Sequence, residues 1–189
     1  MLTFVAMKPI FLIGYMGCGK TTLGMPLAQH MGRRFVDLDY LIEKQCHMTA
    51  RDIFMTHGED YFRQLEREAL VSVATGDPCV VVACGGGTPL LQENMDLMNQ
   101  VGITIWLQTS VERITSRLIL PDQRSKRPLL NKLSNSEIME LVVHGLEVRA
   151  VHYSQAQLQF DSTFLESAEE IETSAQRLAC LIQEKELKE

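Results

Sequence analysis

The chain has 189 residues, 46% of them apolar, and a net charge of −6 from 18 basic and 24 acidic side chains. At about 100–200 residues per domain this is one domain, long enough to bury a core without staples. The composition excludes wholesale disorder, the acidic balance excludes a broad nucleic-acid surface, and no apolar run approaches the roughly 18–20 residues of a membrane span.

Taken in order, the chain alternates short apolar runs with helical patterns. Met1–Met7 is too short and too uncharged for a signal peptide, and Met7 offers a second start. Pro9–Ile13 is apolar at every residue, as parallel strands covered on both faces are. It runs into Gly14-Tyr-Met-Gly-Cys-Gly-Lys20-Thr21 and then a helix over Thr21–Met31, which is the G-x-x-x-x-G-K-[ST] pattern in its required setting. Glycines let such a loop turn successive N–H groups toward phosphate oxygens, and the helix adds its positive end. Gly17, Cys18, Gly19, Lys20, Thr21 and Thr22 are therefore expected to bind a nucleoside triphosphate, with Lys20 on the β- and γ-phosphates and the Thr21 hydroxyl on Mg2+. Pro26 inside that helix predicts a local bend.

Arg34–Asp37 reads as the second strand and ends in Asp37-Leu38-Asp39. Residues two apart point the same way while the chain stays extended, so both carboxylates are expected to face the cleft. Phosphoryl transfer needs one carboxylate near Mg2+, often through water, and one near the acceptor hydroxyl. No acid closes the third or fourth strand, so Asp37 is the expected metal-side group. The same pair can also cap the helix that follows.

Helices are expected over Thr49–His57 and Glu59–Thr75, each stopped by a glycine. Cys79–Ala83 is the third strand, and Gly85-Gly86-Gly87 follows it. Three glycines where a helix should begin imply close backbone approach to a ligand, or else a flexible turn. Ile103–Leu107 and Leu158–Phe160 complete the strands, with helices over Ser110–Leu120, Ser136–Ala156 and Glu166–Lys185. Alternating strands and helices define an α/β fold with a parallel sheet, whose ligands bind at the carboxyl ends of the strands.

Between residues 113 and 132, Arg113, Arg117, Arg124, Lys126, Arg127 and Lys132 face only Asp122, a net of +5 that leaves the rest of the chain at −11. With Pro121 and Pro128 inside it, this segment reads as a mobile lid over about 121–133, of the kind that expels water during phosphoryl transfer. The five cysteines are odd in number and lack CxxC spacing, as free thiols in a reducing cytoplasm do. Cys18 and Cys84 flank the glycine loops, where a lowered thiol pKa would make an oxidation-sensitive site. The five histidines read as surface or packing residues.

Six segments together resemble the shikimate kinase family: GYMGCGKTT at 14–22, FVDLD at 35–39, YFRQLE at 61–66, VVACGGG at 81–87, RPLL at 127–130, and Arg149 with Tyr153 four residues on. They cover roughly residues 8–165 in the family's order and spacing. The phosphate loop alone is generic, whereas the remaining set is not shared by gluconate or adenylate kinases. The resemblance implies a three-layer P-loop kinase fold with a five-stranded parallel sheet in order 2-3-1-4-5 and a lid. It implies transfer of the ATP γ-phosphate to the 3-hydroxyl of shikimate. In that reading Asp39 holds the reacting hydroxyl and takes its proton, and Asp37 fixes Mg2+ through water. Arg63 and Arg149 clamp the shikimate carboxylate, and Gly85, Gly86 and Gly87 contact substrate. Arg127 reaches from the lid, and Arg117 lies along the adenine. Lys20, Asp39 and Arg127 are then the catalytic set, with ATP and Mg2+ as cofactors. A cytoplasmic monomer with no nucleic-acid or membrane partner is expected, ending in an acidic helix over about 166–185. Another small-molecule kinase and a P-loop switch without fast turnover are the competing readings.

Overall fold

The computed structural model describes residues 7–125 and 127–187. Residues 1–6 and Lys126, which the readings of the amino terminus and of the lid charge include, lie outside the described residues.

Five parallel strands form one sheet: β1 (Ile10–Ile13), β2 (Arg34–Asp37), β3 (Val80–Ala83), β4 (Ile103–Gln108) and β5 (Leu158–Asp161). Their order is β2-β3-β1-β4-β5, as the resemblance implied. The unbroken apolar runs are the inner strands, and every residue of β1 and β3 is buried. Side chains alternate between the faces. Phe11 and Ile13 join Val80 and Val82 in one core cluster, while Ile10 and Leu12 join Val81, Ile103 and Ile105 in the other. Burying each such side chain contributes about 1.5–3 kcal/mol, so the central strand is where truncation would cost most.

The second cluster lies under α1 (Lys20–His30) and α10 (Ala168–Glu186), through Leu23, Leu27, Ala175, Leu178 and Ile182. The first is covered by α2 (Leu38–Cys46), α4 (Glu59–Gly76), α5 (Gln92–Val101), α6 (Val111–Leu118) and α9 (Asn135–Tyr153). A short helix α3 (Ala50–His57) precedes α4 and sends Ile53 into the same cluster.

The structure departs from the sequence expectations in three places. The chain turns helical at Leu38, so Asp39 stands in the first turn of α2 rather than on an extended strand. A 3-10 turn (Thr88–Leu90) and α5 fill the stretch after the three glycines. The lid segment holds two short helices, α7 (Pro121–Ser125) and α8 (Pro128–Asn131), where a loop was expected. Its prolines are each the first residue of a helix, where the N–H has no intrahelical partner and the fixed φ of proline suits the helix. Helix α1 continues through Pro26 to His30.

Candidate active site

The site lies at the carboxyl ends of the strands. After β1 the chain curls through Gly14, Gly17 and Gly19 at φ of +143°, +81° and +97°, conformations that favour glycine. Gly19 caps α1 without a side-chain hydrogen bond, and the first turn holds no acid. Helices α2, α3, α6, α9 and α10 each have a side-chain cap and an acid in their first turn. The positive end of α1 is thus left for an anion. Lys20 Nζ folds back over the loop onto Gly14 O at 2.7 Å and Tyr15 O at 3.0 Å. Cys18 is buried beneath the loop and Thr22 is exposed on the first turn.

Asp37 caps the helix that follows, as its position permitted, and its second oxygen bonds the phosphate loop. Its Oδ1 accepts from Tyr40 N at 3.2 Å as the cap of α2, and its Oδ2 accepts from Thr21 Oγ1 at 2.7 Å. Among the described residues no cluster of three or more metal-ligating side chains occurs. A hydroxyl and a carboxylate suit Mg2+, which keeps its waters and is held mainly by substrate phosphates.

Asp39 lines the cleft, exposed on one side and enclosed by protein on the other. Burial on the enclosed side, then the charges of Glu66 and Asp37, raise its carboxyl to about 6 against the pull of Lys20. Arg127 is near enough to feel the Asp39 charge, although burial lowers its pKa overall. Its guanidinium donates to Gln123 Oε1 at 2.6 Å.

The three glycines after β3 make room for four charged groups. A Cβ at Gly85 would stand 2.9 Å from Asp39 Oδ1 and collide with Glu66 Oε1. One at Gly86 would lie 3.4 Å from Arg149 Nη1. One at Gly87 would lie 2.6 Å from Arg63 Cζ. The tight spacing expected around a ligand is here spacing around charged side chains.

Arg63 is bracketed by Glu59 at 2.9 Å and Glu66 at 2.8 Å. Burial opposes its charge, and the two carboxylates outweigh that, so its pKa is raised. Glu66 is fully buried and also accepts from Thr88 Oγ1 at 2.6 Å. A buried carboxylate costs heavily unless paired in this way. The sequence reading gave Glu66 and Thr88 no role, although the spacing of Arg63 and Glu66 on one helix face was a usable signal.

Arg149 Nη1 donates to Gly86 O at 3.3 Å, and Tyr153 Oη donates to the same oxygen at 2.7 Å. Arg117 bridges the phosphate loop and the segment after β5, donating to Gly17 O and Thr163 O at 3.0 Å each. Arg124 instead ties the lid segment to Leu133 O and Asn135 Oδ1. Cys84 is fully buried, and desolvation followed by Glu66 pushes its thiol well above the ordinary range, so the lowered pKa expected there is not found.

A phosphate loop with an uncapped helix end, a hydroxyl–carboxylate pair beside it and two arginines against the neighbouring Gly85–Gly87 segment define a P-loop small-molecule kinase. A shikimate kinase family model matches residues 16–179. A shikimate kinase of Bacteroides thetaiotaomicron is 41% identical over 94% of this chain and 99% of its own. The crystal structure of a shikimate kinase from that organism superposes with a TM-score of 0.88 at 42% identity, over 94% of this chain and 99% of that one. A shikimate kinase of Acinetobacter baumannii, solved in complex with shikimate, gives 0.81 at 32% identity over 96% of both chains. The chain belongs to the shikimate kinase family.

Proposed function

We propose that this chain transfers the γ-phosphate of ATP to the 3-hydroxyl of shikimate, giving shikimate 3-phosphate and ADP. The observation that carries this reading is the convergence of Asp39, Arg63 and Arg149 on the Gly85–Gly87 segment, next to the phosphate loop. A carboxylated polyol needs planar, bidentate donors for its acid and a carboxylate for its reacting hydroxyl, and these residues supply both.

In this mechanism Lys20 and the N–H groups of Gly17–Thr22 hold the triphosphate. Arg117 lies along the adenine. Thr21 and, through water, Asp37 would hold Mg2+, which would supply neutralising charge at the phosphates. Arg63 and Arg149 grip the substrate carboxylate, and Gly85, Gly86 and Gly87 contact its ring. Asp39 aligns the 3-hydroxyl with the γ-phosphorus and accepts its proton as the new P–O bond forms and the bond to ADP breaks. A carboxyl titrating near 6 is ionised at neutral pH yet basic enough for that transfer. Arg127 comes from the lid to the transferring phosphoryl group, where lid closure excludes water.

The chain works as a single-domain cytoplasmic monomer in this reading. No helix among the described residues is long and apolar enough to cross a membrane. The test is ADP release with ATP and Mg2+ against shikimate, gluconate, AMP or buffer. Shikimate-dependent release is expected. Release with gluconate and none with shikimate would overturn the substrate assignment.

A further inference from the structure

Tyr15 lies inside the phosphate loop, yet none of the roles above uses its side chain. It is 2% exposed and among the largest buried side chains of the protein. Its ring lies across α9 at Gly145, where a Cβ would stand 2.6 Å from Cε2 and 2.7 Å from Cζ and would collide with Oη. A glycine within a 19-residue helix is unfavourable relative to alanine, and at this position it opens the notch that the ring fills. Tyr15 Oη donates to Leu141 O, one turn earlier on the same helix, at 3.3 Å.

The same ring carries Arg149. The guanidinium Cζ stands 5.0 Å from the Tyr15 ring centroid. Its hydrogen bond to Gly86 O is long, at 3.3 Å, and that oxygen already accepts from Tyr153 Oη. Among the described residues no carboxylate pairs with Arg149, in contrast to Arg63 with its two glutamates. An aromatic face orients a guanidinium without consuming its N–H donors. Beyond the Nη1 bond to Gly86 O and the adjacent Tyr153 hydroxyl, the guanidinium keeps donors for an anionic partner.

We propose that Tyr15, seated in the Gly145 notch, is the positioning residue for Arg149, aiming its guanidinium toward the Gly85–Gly87 segment. The proposal rests on Arg149 being the carboxylate clamp. It makes one residue of the nucleotide loop a determinant of affinity for the second substrate. Tyr15 itself touches neither the reacting atoms nor the phosphates with its side chain.

The test is the KM for shikimate and for ATP, with melting temperature, across a small variant set. Tyr15→Phe keeps the ring and should leave both KM values within about twofold of the parent. Tyr15→Leu removes the aromatic face and should raise the shikimate KM about three- to tenfold while the ATP KM stays within about twofold. Gly145→Ala displaces the ring and should raise the shikimate KM in the same selective way, and it carries the test if Tyr15→Leu does not fold. In an Arg149→Ala background, Tyr15→Leu should add nothing further. A wild-type shikimate KM in both Tyr15→Leu and Gly145→Ala overturns the proposal. So does an equal rise in both KM values, or full additivity with Arg149→Ala. An Arg149→Ala enzyme with an unchanged shikimate KM overturns the clamp reading itself, and this proposal with it.

Discussion

Thr21 Oγ1 donates a 2.7 Å hydrogen bond to Asp37 Oδ2, joining the first turn of α1 to the end of β2. Asp37 therefore has two separable duties, since its other oxygen caps α2 through Tyr40 N. Asp37→Asn keeps a capping side chain and loses the charge. The Mg2+ concentration for half-maximal activity should rise about ten- to a hundredfold, the usual scale for an outer-sphere metal partner. Asp37→Ala loses the cap as well, at about 1 kcal/mol, or about 2–4 °C in melting temperature for a chain of this size. A Mg2+ titration and a thermal melt read the two duties independently. An unchanged Mg2+ requirement in the Asn variant would remove Asp37 from the metal site.

Lys20 rests on two loop carbonyls that face the cleft and that water can satisfy in its absence. Lys20→Ala should therefore melt within a few degrees of the parent while its turnover falls by about 10³-fold or more, the cost of removing a charged donor from a developing phosphoryl charge. Turnover under saturating ATP and shikimate checks this. Near-normal kcat would take Lys20 out of the mechanism.

These two residues were legible because a motif encodes their placement: a loop, its lysine and its hydroxyl must be adjacent in sequence to surround one phosphate chain. The sheet was legible for a similar reason, since inner strands announce themselves by having no polar face. Helix α2 was given no range, because Leu38–Cys46 begins at the strand end with no intervening loop, although Asp37, the last residue of β2, was read as able to cap a following helix. Helix α9 was placed one residue late because the capping box of Ser134 and Glu137 passed unnoticed. Arg63 and Glu66 are three apart on one helix face and could have been paired, but Thr88, in the turn after β3, bonds Glu66 across segments that no local pattern joins. The same holds for Tyr15 and Gly145, which are distant in sequence and touch only in the fold.

Gly87 and Gly85 should respond differently to alanine. Gly87 has φ of −97°, which any residue tolerates, and the atoms nearest its new methyl belong to the Arg63 guanidinium, the far end of a flexible side chain. Gly87→Ala should melt within about 2–4 °C of the parent, a cost of no more than about 1 kcal/mol, yet raise the shikimate KM about tenfold by displacing Arg63. Gly85→Ala drives a methyl into buried Glu66 and beside Asp39, so it should lower both stability and kcat. Kinetics with melts on the two variants check the contrast. Equal effects on shikimate KM and stability in both would show that the glycines serve the turn rather than the side chains around it.

Asp39 ties acid sensitivity to both rate and stability. Its carboxyl is raised from 3.8 to about 6, first by burial and then by Glu66 and Asp37. The reaction needs the ionised form, so kcat/KM should fall about tenfold per pH unit below about 6. Asp39→Asn should lower kcat by about 10²–10⁴-fold and lose that acid limb. The stability effect has the opposite sense. A carboxyl whose folded pKa lies above its unfolded value is destabilising when ionised. That cost is absent below about 3.8, grows as pH rises through the window, and is complete above about 6. The ligand-free Asp39→Asn protein should thus melt above the parent at pH 7.5, with the gap narrowing toward pH 5. Paired pH–rate profiles and pH-dependent melts test both halves. An acid limb that persists in the Asn variant would assign the ionisation to another group, and a melting gap that widens toward pH 5 would show that Asp39 is stabilised, not strained, in its charged form.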